Sequence, residues 1–341
     1  MRLTKRHLFG LVAVIVIAFF LSSYKLPYYI YKPGGADALN PIVEVADGYE
    51  SSGDMHLVTV SGGQATPIQY LLSMVLPHHE IRDLAEVFPD DITREEYMHA
   101  QLEMMENSQE ASMVVAYQAA NANIQIDYNG VYVAQIFDQM PAQGVLESGD
   151  QIIQINGQDV NKAADMIEIV DQLNAGDPIE LVIKREEATM TKQITLVEYE
   201  NQEGKIGIGV GLVTDRHVEV DPKVTFSSGR IGGPSAGLMF SLEIYDQLTE
   251  EDVTKGYQVA GTGQIDYEGN VYRIGGVDKK VVAADREGCD IFFAPNEQGD
   301  ADSNYQAAVK KAAEIGTDME IVPVDTFNDA LDYLSKQSPA S

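Results

Sequence analysis

The chain has 341 residues, 45% of them apolar, which is enough for two modest domains with packed cores and excludes wholesale disorder. Its 53 acidic residues against 23 basic ones give a formal charge of −30, a field that repels nucleic acid and argues against phosphate-backbone binding. Cys289 is the only cysteine, so no intrachain disulfide can form and the core alone must hold the fold.

In chain order, residues 8–21 (LFGLVAVIVIAFFL) carry no charged side chain, and Ser22, Ser23 and Tyr24 extend the run to 17 residues. That is the lower limit for a helix that crosses a bilayer. Arg2, Lys5 and Arg6 precede it, which predicts a cytoplasmic start and an exported body. The following LSSYKLPYY contains no A-x-A site, so residues 1–27 are expected to stay as an uncleaved anchor rather than to leave as a signal peptide. Residues 28–120 form the next block. Within it, 32–53 reads as a Gly-, Pro- and acid-rich spacer and MHLVTV (55–60) as a strand with no evident hairpin partner. Residues 66–120 are mainly helical in pattern, with a capping signal at Thr93 and Glu96.

Residues 121–200 change character. Residues 124–136 are strand-like around Asn129-Gly130, a turn signal, and PAQGVLESGDQIIQINGQDV (141–160) follows. A helix near 162–173 and strands at 179–185 and 193–199 complete the segment. The string P-A-x-x-G-V-L-x-x-G-D-x-I-x-x-I-N-G-x-x-V resembles bacterial PDZ domains over about 75 residues. The resemblance implies that an extended peptide is added to a sheet edge beside a helix. It places the carboxylate-binding loop and edge strand on Gly130, Val131, Tyr132 and Val133. The plainer alternative is that Gly130 only completes a hairpin turn.

Residues 201–337 carry the chemistry. In GRIGGPSAGLMFSLEIYDQL (229–248), Met239, Leu242, Tyr245 and Leu248 recur at three- and four-residue steps, so a helix begins just after Ser235. At a helix start the hydroxyl is accessible and free backbone N–H groups can meet developing negative charge. Pro234 has no N–H, so an oxyanion hole must draw on neighbours such as Gly233 or Ser235 itself. This pattern alone fits an ordinary helix cap equally well. GTGQIDYEGNVYRIGGVDKKVVAADREGCDIFFAP (261–295) reads strand, turn, strand, glycine pair, helix, strand. On a helical wheel Val277, Lys280, Val281 and Ala284 share a face, so Lys280 points to the apolar side and Lys279 to water. A buried lysine without a carboxylate partner loses its preference for charge, and its neutral amine can take a proton from a serine hydroxyl.

Gly232-Gly233-Pro234-Ser235-Ala236-Gly237 and Gly275-Gly276-Val277-Asp278-Lys279-Lys280 together resemble the nucleophile motif and the lysine motif of the Lon peptidase family. The resemblance extends over about 130 residues and implies a Ser235–Lys280 dyad, with Thr262 of Gly261-Thr262-Gly263 orienting the lysine. Two positions depart from the pattern: Gly232 replaces an acidic residue three before the serine, and Gln264 replaces a glutamate. No G-x-x-x-x-G-K-[ST] phosphate loop occurs in the sequence, so the expectation is cleavage without ATP. With the PDZ-like segment and the apolar run, the chain resembles PDZ-containing Lon-like proteases of Gram-positive bacterial envelopes.

The expected fold class is therefore α+β: a Lon-type proteolytic domain, a PDZ domain inserted in it or preceding it, and one N-terminal transmembrane helix. Insertion is favoured because early strands of Lon-type domains open the catalytic sheet, which would give MHLVTV its partners. The expected function is that of a serine endopeptidase on extended, unstructured segments outside the cytoplasm, with an oligomer left open. A non-catalytic envelope scaffold or chaperone is the alternative, but neither needs both Ser235 and an inward Lys280. No cofactor or metal is called for: His78-His79-Glu80 is not H-E-x-x-H, and the six histidines are scattered. Gly207-Ile208-Gly209-Val210-Gly211 reads as a glycine-rich strand rather than a dinucleotide fingerprint, and no G-x-S-x-G elbow is present.

Overall fold

The computed structural model describes residues 5–88, 93–199, 204–229 and 231–340. In chain order its main elements are α1 (Lys5–Ser23), β1 (Tyr28–Ala38), β2 (Asp54–Gln64), α2 (Pro67–Ser73), β3 (Glu80–Asp83), α3 (Arg94–Ala119), β4 (Asn123–Ile136), β5 (Gln151–Ile155) and α4 (Ala163–Asp171). There follow β6 (Pro178–Arg185), β7 (Ala188–Thr195), β8 (Val210–Asp221), α5 (Gly237–Leu248), β9 (Gln258–Gly261), α6 (Val277–Glu287), β10 (Ile291–Pro295), α7 (Asn304–Ile315), β11 (Glu320–Val324) and α8 (Phe327–Ser335). The chain divides into two compact units, one made of residues 1–124 and 220–341, the other of 125–219.

The first unit is built on a six-stranded sheet in the order β11-β10-β9-β2-β1-β3. The strands β2, β9, β10 and β11 run parallel, and helices α6 and α7 make the crossovers between β9, β10 and β11. Because successive side chains of a strand point to opposite faces, neighbouring residues enter different cores. Leu57, Val259, Ile291 and Phe293 join one core with α3, α5 and α8. Val58, Ala260, Phe292 and Ala294 join the other with α6 and α7. The result is a three-layered, mixed α+β unit whose central strands are covered on both faces.

Residues 32–53 are not a spacer. Through Ala38 they belong to β1, an antiparallel partner of β2 with Ala36 opposite Val58 and Ala38 opposite His56. Pro33-Gly34-Gly35 looks like linker composition, but it falls at the point where the β1–β2 register shifts, so the prolyl and glycyl residues sit at a bulge. The strand at 55–60 thus has a hairpin partner after all. Thr93 and Glu96 form the capping box at the start of α3.

The second unit is an antiparallel sheet in the order β8-β4-β5-β6-β7 with α4 beside it, enclosing Val131, Ile152, Leu181, Met166 and their neighbours. Asn129-Gly130 does not turn the chain: β4 continues through it, with Gly130 at φ 140°. Its φ is one that side-chain-bearing residues rarely adopt, so glycine is favoured by the backbone of a continuing strand and not by a hairpin; the Gln151 side chain packs over it and donates to the Asn129 carbonyl. Nor is Gly130–Val133 on an edge. β4 lies between β8 and β5, and Val131 and Val133 are buried. The outer strand on that side is β8. The glycine-rich run before it is broken rather than continuous, because Gly209 takes φ 79° between the short strand Ile206–Gly207 and β8.

Among the described residues no helix is long and apolar enough to cross a membrane. α1 is helical over Lys5–Ser23 and leaves Phe9, Val14, Ile15 and Phe19 exposed. Of the residues expected to flank or begin the span, Arg2 and the side chains of Lys5 and Leu8 lie outside the described residues.

Candidate active site

Ser235 precedes α5, whose N-cap is Ala236. The helix is buried on nearly every side from Gly237 to Ile244, so the expected single apolar face is exceeded: α5 is the central helix of its layer. α3, which lies more than a hundred residues earlier, fixes the loop in front of it. The Gln101 carbonyl accepts the Gly233 amide at 2.7 Å. Ser108 Oγ donates to the Pro234 carbonyl at 3.0 Å, and Ser112 Oγ donates to the Gly237 carbonyl at 3.0 Å. Gly237 must be glycine for this approach, since a Cβ would sit 2.8 Å from Ser108 Oγ. These α3 side chains bond to backbone, so no pairwise residue motif advertises them.

Lys280 enters from α6. Gly276, in the left-handed region at φ 72°, caps that helix and starts it beneath the sheet's carboxyl edge. Lys280 is 3% exposed, with Nζ 2.7 Å from Ser235 Oγ and 2.8 Å from Thr262 Oγ1. Thr262 follows β9 directly, is fully buried, and donates its own hydroxyl proton to the Ser235 carbonyl at 2.9 Å. With the threonine proton committed, Thr262 Oγ1 is left to accept from the amine. Burial pushes the Lys280 amine down to about 7, and both of its partners are neutral hydroxyls. Three predicted residues, Ser235, Lys280 and Thr262, therefore meet within hydrogen-bond distance.

The structure corrects two other expectations at this site. Gly233 is not available for an oxyanion hole, because its N–H is held by Gln101. The Ser235 amide has no partner among the described residues and is a donor that the loop can offer. Lys279 is not solvated: it is 4% exposed, and its Nζ bonds to Glu80 and lies 3.2 Å from Asp278. Glu80 comes from β3, at the edge of the sheet, and also accepts from Arg82 Nε at 2.5 Å. Burial by itself raises the Glu80 carboxyl, but the hydrogen bonds from Lys279 and Arg82 outweigh it and hold the group below its ordinary value. His78-His79-Glu80 thus supplies an ion-pair partner.

A cleft of about 860 Å³ opens over the serine and the two lysines. β2 forms one wall with Leu57, Val60 and Gly62, and α3 forms another with Tyr97, Met98 and Met105. It offers room for an extended main chain with apolar side-chain contacts. Chemically, a buried neutral amine touching a serine hydroxyl, at a loop with an unpartnered amide, can take a proton from that hydroxyl and stabilise an oxyanion.

Two regions of the chain match known proteins. The family description "Lon protease (S16) C-terminal proteolytic domain" matches residues 185–336, and "PDZ domain" matches residues 98–196. The Lon protease of Campylobacter jejuni is 33% identical over 144 residues, 38% of this chain and 16% of that protein. The Lon protease of Campylobacter concisus is 36% identical over 99 residues, 29% of this chain and 11% of that protein. The chain covers less than a fifth of either relative. Among solved structures, the PDZ domain of an SdrC-like protein from Listeria monocytogenes is 30% identical, covers 26% of this chain and 93% of that one, and has a TM-score of 0.25. The matched proteolytic region begins after β1, β2, β3 and α3, the elements that complete the sheet and brace the serine loop.

Proposed function

We propose, from the premise that this chain is a PDZ-containing Lon-like protease, that it cleaves peptide bonds with Ser235 as nucleophile and Lys280 as general base. The observation that carries this is the 2.7 Å contact between Lys280 Nζ and Ser235 Oγ in a setting with no carboxylate on the amine. The neutral amine accepts the hydroxyl proton as Ser235 Oγ attacks the substrate carbonyl. The oxyanion is met by the Ser235 N–H, and the ammonium then returns the proton to the leaving amine. Thr262 keeps the amine lone pair directed at Ser235. A cleft with room for one extended chain favours loose segments, and no step in this chemistry draws on ATP.

Substrate capture falls to the second unit. β8 is an outer strand of its sheet, and the α4 amide of Ala163 donates to Thr214 on that strand at 2.9 Å. Exposed Val213 on β8 and Ile167 on α4 offer apolar contacts to a chain added along β8. The edge strand of the proposed peptide groove is thus β8, in place of Gly130–Val133. α1 is proposed as the membrane anchor, with the rest of the chain outside the cytoplasm. The support is its exposed apolar side chains and the run of residues 8–21 without charge.

Purified protein is incubated without nucleotide on an unfolded protein and on a short fluorogenic peptide. Cleavage of both by the natural chain, and of neither by a folded Ser235→Ala variant, is the expected result. Equal product from both proteins rejects the assignment. Ile167→Glu is expected to raise KM for the unfolded protein several-fold and to leave short-peptide cleavage unchanged. No difference between the two substrates removes β8 and α4 from substrate capture.

A further inference from the structure

The helix α2 is inside out. Ile68, Leu71, Leu72, Val75 and Leu76 recur at the three- and four-residue spacing of one helical face, and that face is exposed. The helical hydrogen bonding runs past Ser73, with Leu76 N–H donating to the Leu72 carbonyl at 2.9 Å, so all five residues share one surface. Leu71 is 60% exposed and Val75 76%, and Met74 beside them is exposed as well. The residue this helix buries is the polar Ser73. An apolar stripe of this kind, turned away from the core, marks an interaction surface.

Charge and connectivity select the occupant. Although the chain carries −30 overall, residues 1–36 and 55–79 contain no aspartate or glutamate. β1 and β2 bring these two stretches together: Leu26 N–H donates to the Ala65 carbonyl, Ala65 N–H to the Tyr28 carbonyl, and the tilted rings of Tyr28 and Tyr70 lie 4.8 Å apart. Around the stripe stand the exposed cations Lys25 and Lys32, with His78 and His79. The two stretches contribute an apolar ridge, tyrosines and the lysines Lys25 and Lys32, a combination suited to the headgroup layer of an anionic bilayer; the carboxylates nearby, Glu80 and Asp83, come from β3, where they stand opposite Tyr31 and Tyr28. The patch is also continuous in sequence and in space with α1, whose apolar side chains are exposed in the same way.

We infer that α2 and the turn that continues it, from Ile68 to Leu76, lie in the interfacial layer of the membrane as a second contact beside α1. This holds the peptidase unit against the bilayer by its β1–β2 end. Gly62 lines both the active-site cleft and a 330 Å³ pocket shared with Leu72 and Leu76, so a docked α2 keeps the cleft near the headgroups. The inference rests on the anchoring of α1 for the orientation of the unit, but not for the affinity of α2 itself.

The chain has no tryptophan, so one introduced indole reports alone. Full-length Leu71→Trp, Phe19→Trp and Val309→Trp variants are mixed with vesicles of phosphatidylglycerol and dibrominated phosphatidylcholine. The expected result is a blue shift and strong bromine quenching for Leu71→Trp and Phe19→Trp, and neither for Val309→Trp on α7. Quenching at Phe19→Trp alone overturns the α2 contact and leaves the anchor standing. Quenching at Leu71→Trp alone upholds α2 and removes the anchor, and quenching at neither overturns both. A blue shift of Leu71→Trp that appears without vesicles and grows with protein concentration identifies a second copy as the occupant and overturns the lipid assignment.

Discussion

Two neighbouring lysines on α6 have almost the same burial and opposite surroundings. Lys280 is 3% exposed and faces two neutral hydroxyls, whereas Lys279 is 4% exposed and faces the carboxylates of Glu80 and Asp278. Burial alone penalises a charge on either amine. What differs is whether an anion is there to offset that penalty. On one flank of the helix none is, and burial pushes the amine down to about 7; on the other, the lysine becomes a brace between α6 and the edge strand β3. Burial of a lysine therefore says little about its role until its partners are named.

The comparison breaks most sharply through the chemistry. Ser235→Ala or Lys280→Ala is expected to lower kcat on an unstructured substrate by at least about a thousandfold with the circular dichroism unchanged. If Lys279→Ala has that effect and Lys280→Ala does not, the two flanks have been assigned the wrong way round.

The second way is pH. With the amine at about 7, kcat/KM should rise with pH through that region as Lys280 loses its proton. A profile falling from pH 6 to 8 would contradict a basic role for this amine. Stability shifts in a related way. The folded-state value lies below the unfolded lysine value, so between about 7 and about 10.4 the unfolded chain binds more protons and stability rises with pH. Below 7 both states are protonated, and a penalty of about 5 kcal/mol stays constant. Lys280→Met removes it, so chemical denaturation at pH 7 should find the inactive variant at least as stable as the natural chain.

Thr262→Val tests the hydroxyls that distinguish the Lys280 flank. It removes an acceptor from the amine and a donor from the Ser235 carbonyl, and kcat should fall about tenfold to a hundredfold. Unchanged kcat would take Thr262 out of the alignment. The smallest effect on activity belongs to Lys279→Ala. Glu80 is about one-third exposed and keeps Arg82, so the loss should be about 1–2 kcal/mol of stability, read as a lower Tm. Glu80→Gln should give a similar loss, and the double variant less than the sum of the two. Additive losses would mean that the pair does not act as one contact.

How legible these features were depends on their reach along the chain. Ser235, Lys280 and Thr262 lie within 45 residues of one another, each in a short motif whose backbone requirements are written in glycines and a proline. Lys279 has its partner 199 residues away, and a helical wheel sees one apolar face without the layer packed on the other. The bracing by Gln101 and Ser108 was hidden because Gln101 acts through its backbone carbonyl, which every residue has, and Ser108 donates to a carbonyl that many side chains could reach. Pro33-Gly34-Gly35 resembled linker because its bulge shares linker chemistry. The outer strand of the second unit was misplaced because β8, which borders β4 in the sheet, comes last in that unit's sequence.

The interrupted peptidase unit also sets a timetable. β2 finds its parallel neighbour in β9, and α3 braces a loop that begins more than a hundred residues after it. A chain made from its N-terminus therefore emerges with β1, β2 and α3 waiting while the whole 125–219 unit is synthesised and can fold. Ser235 follows, and Lys280 arrives 45 residues later still. Until Lys280 has been translated, Ser235 has no amine beside it, so the proposed catalytic pair cannot assemble while the chain upstream of α6 is leaving the ribosome.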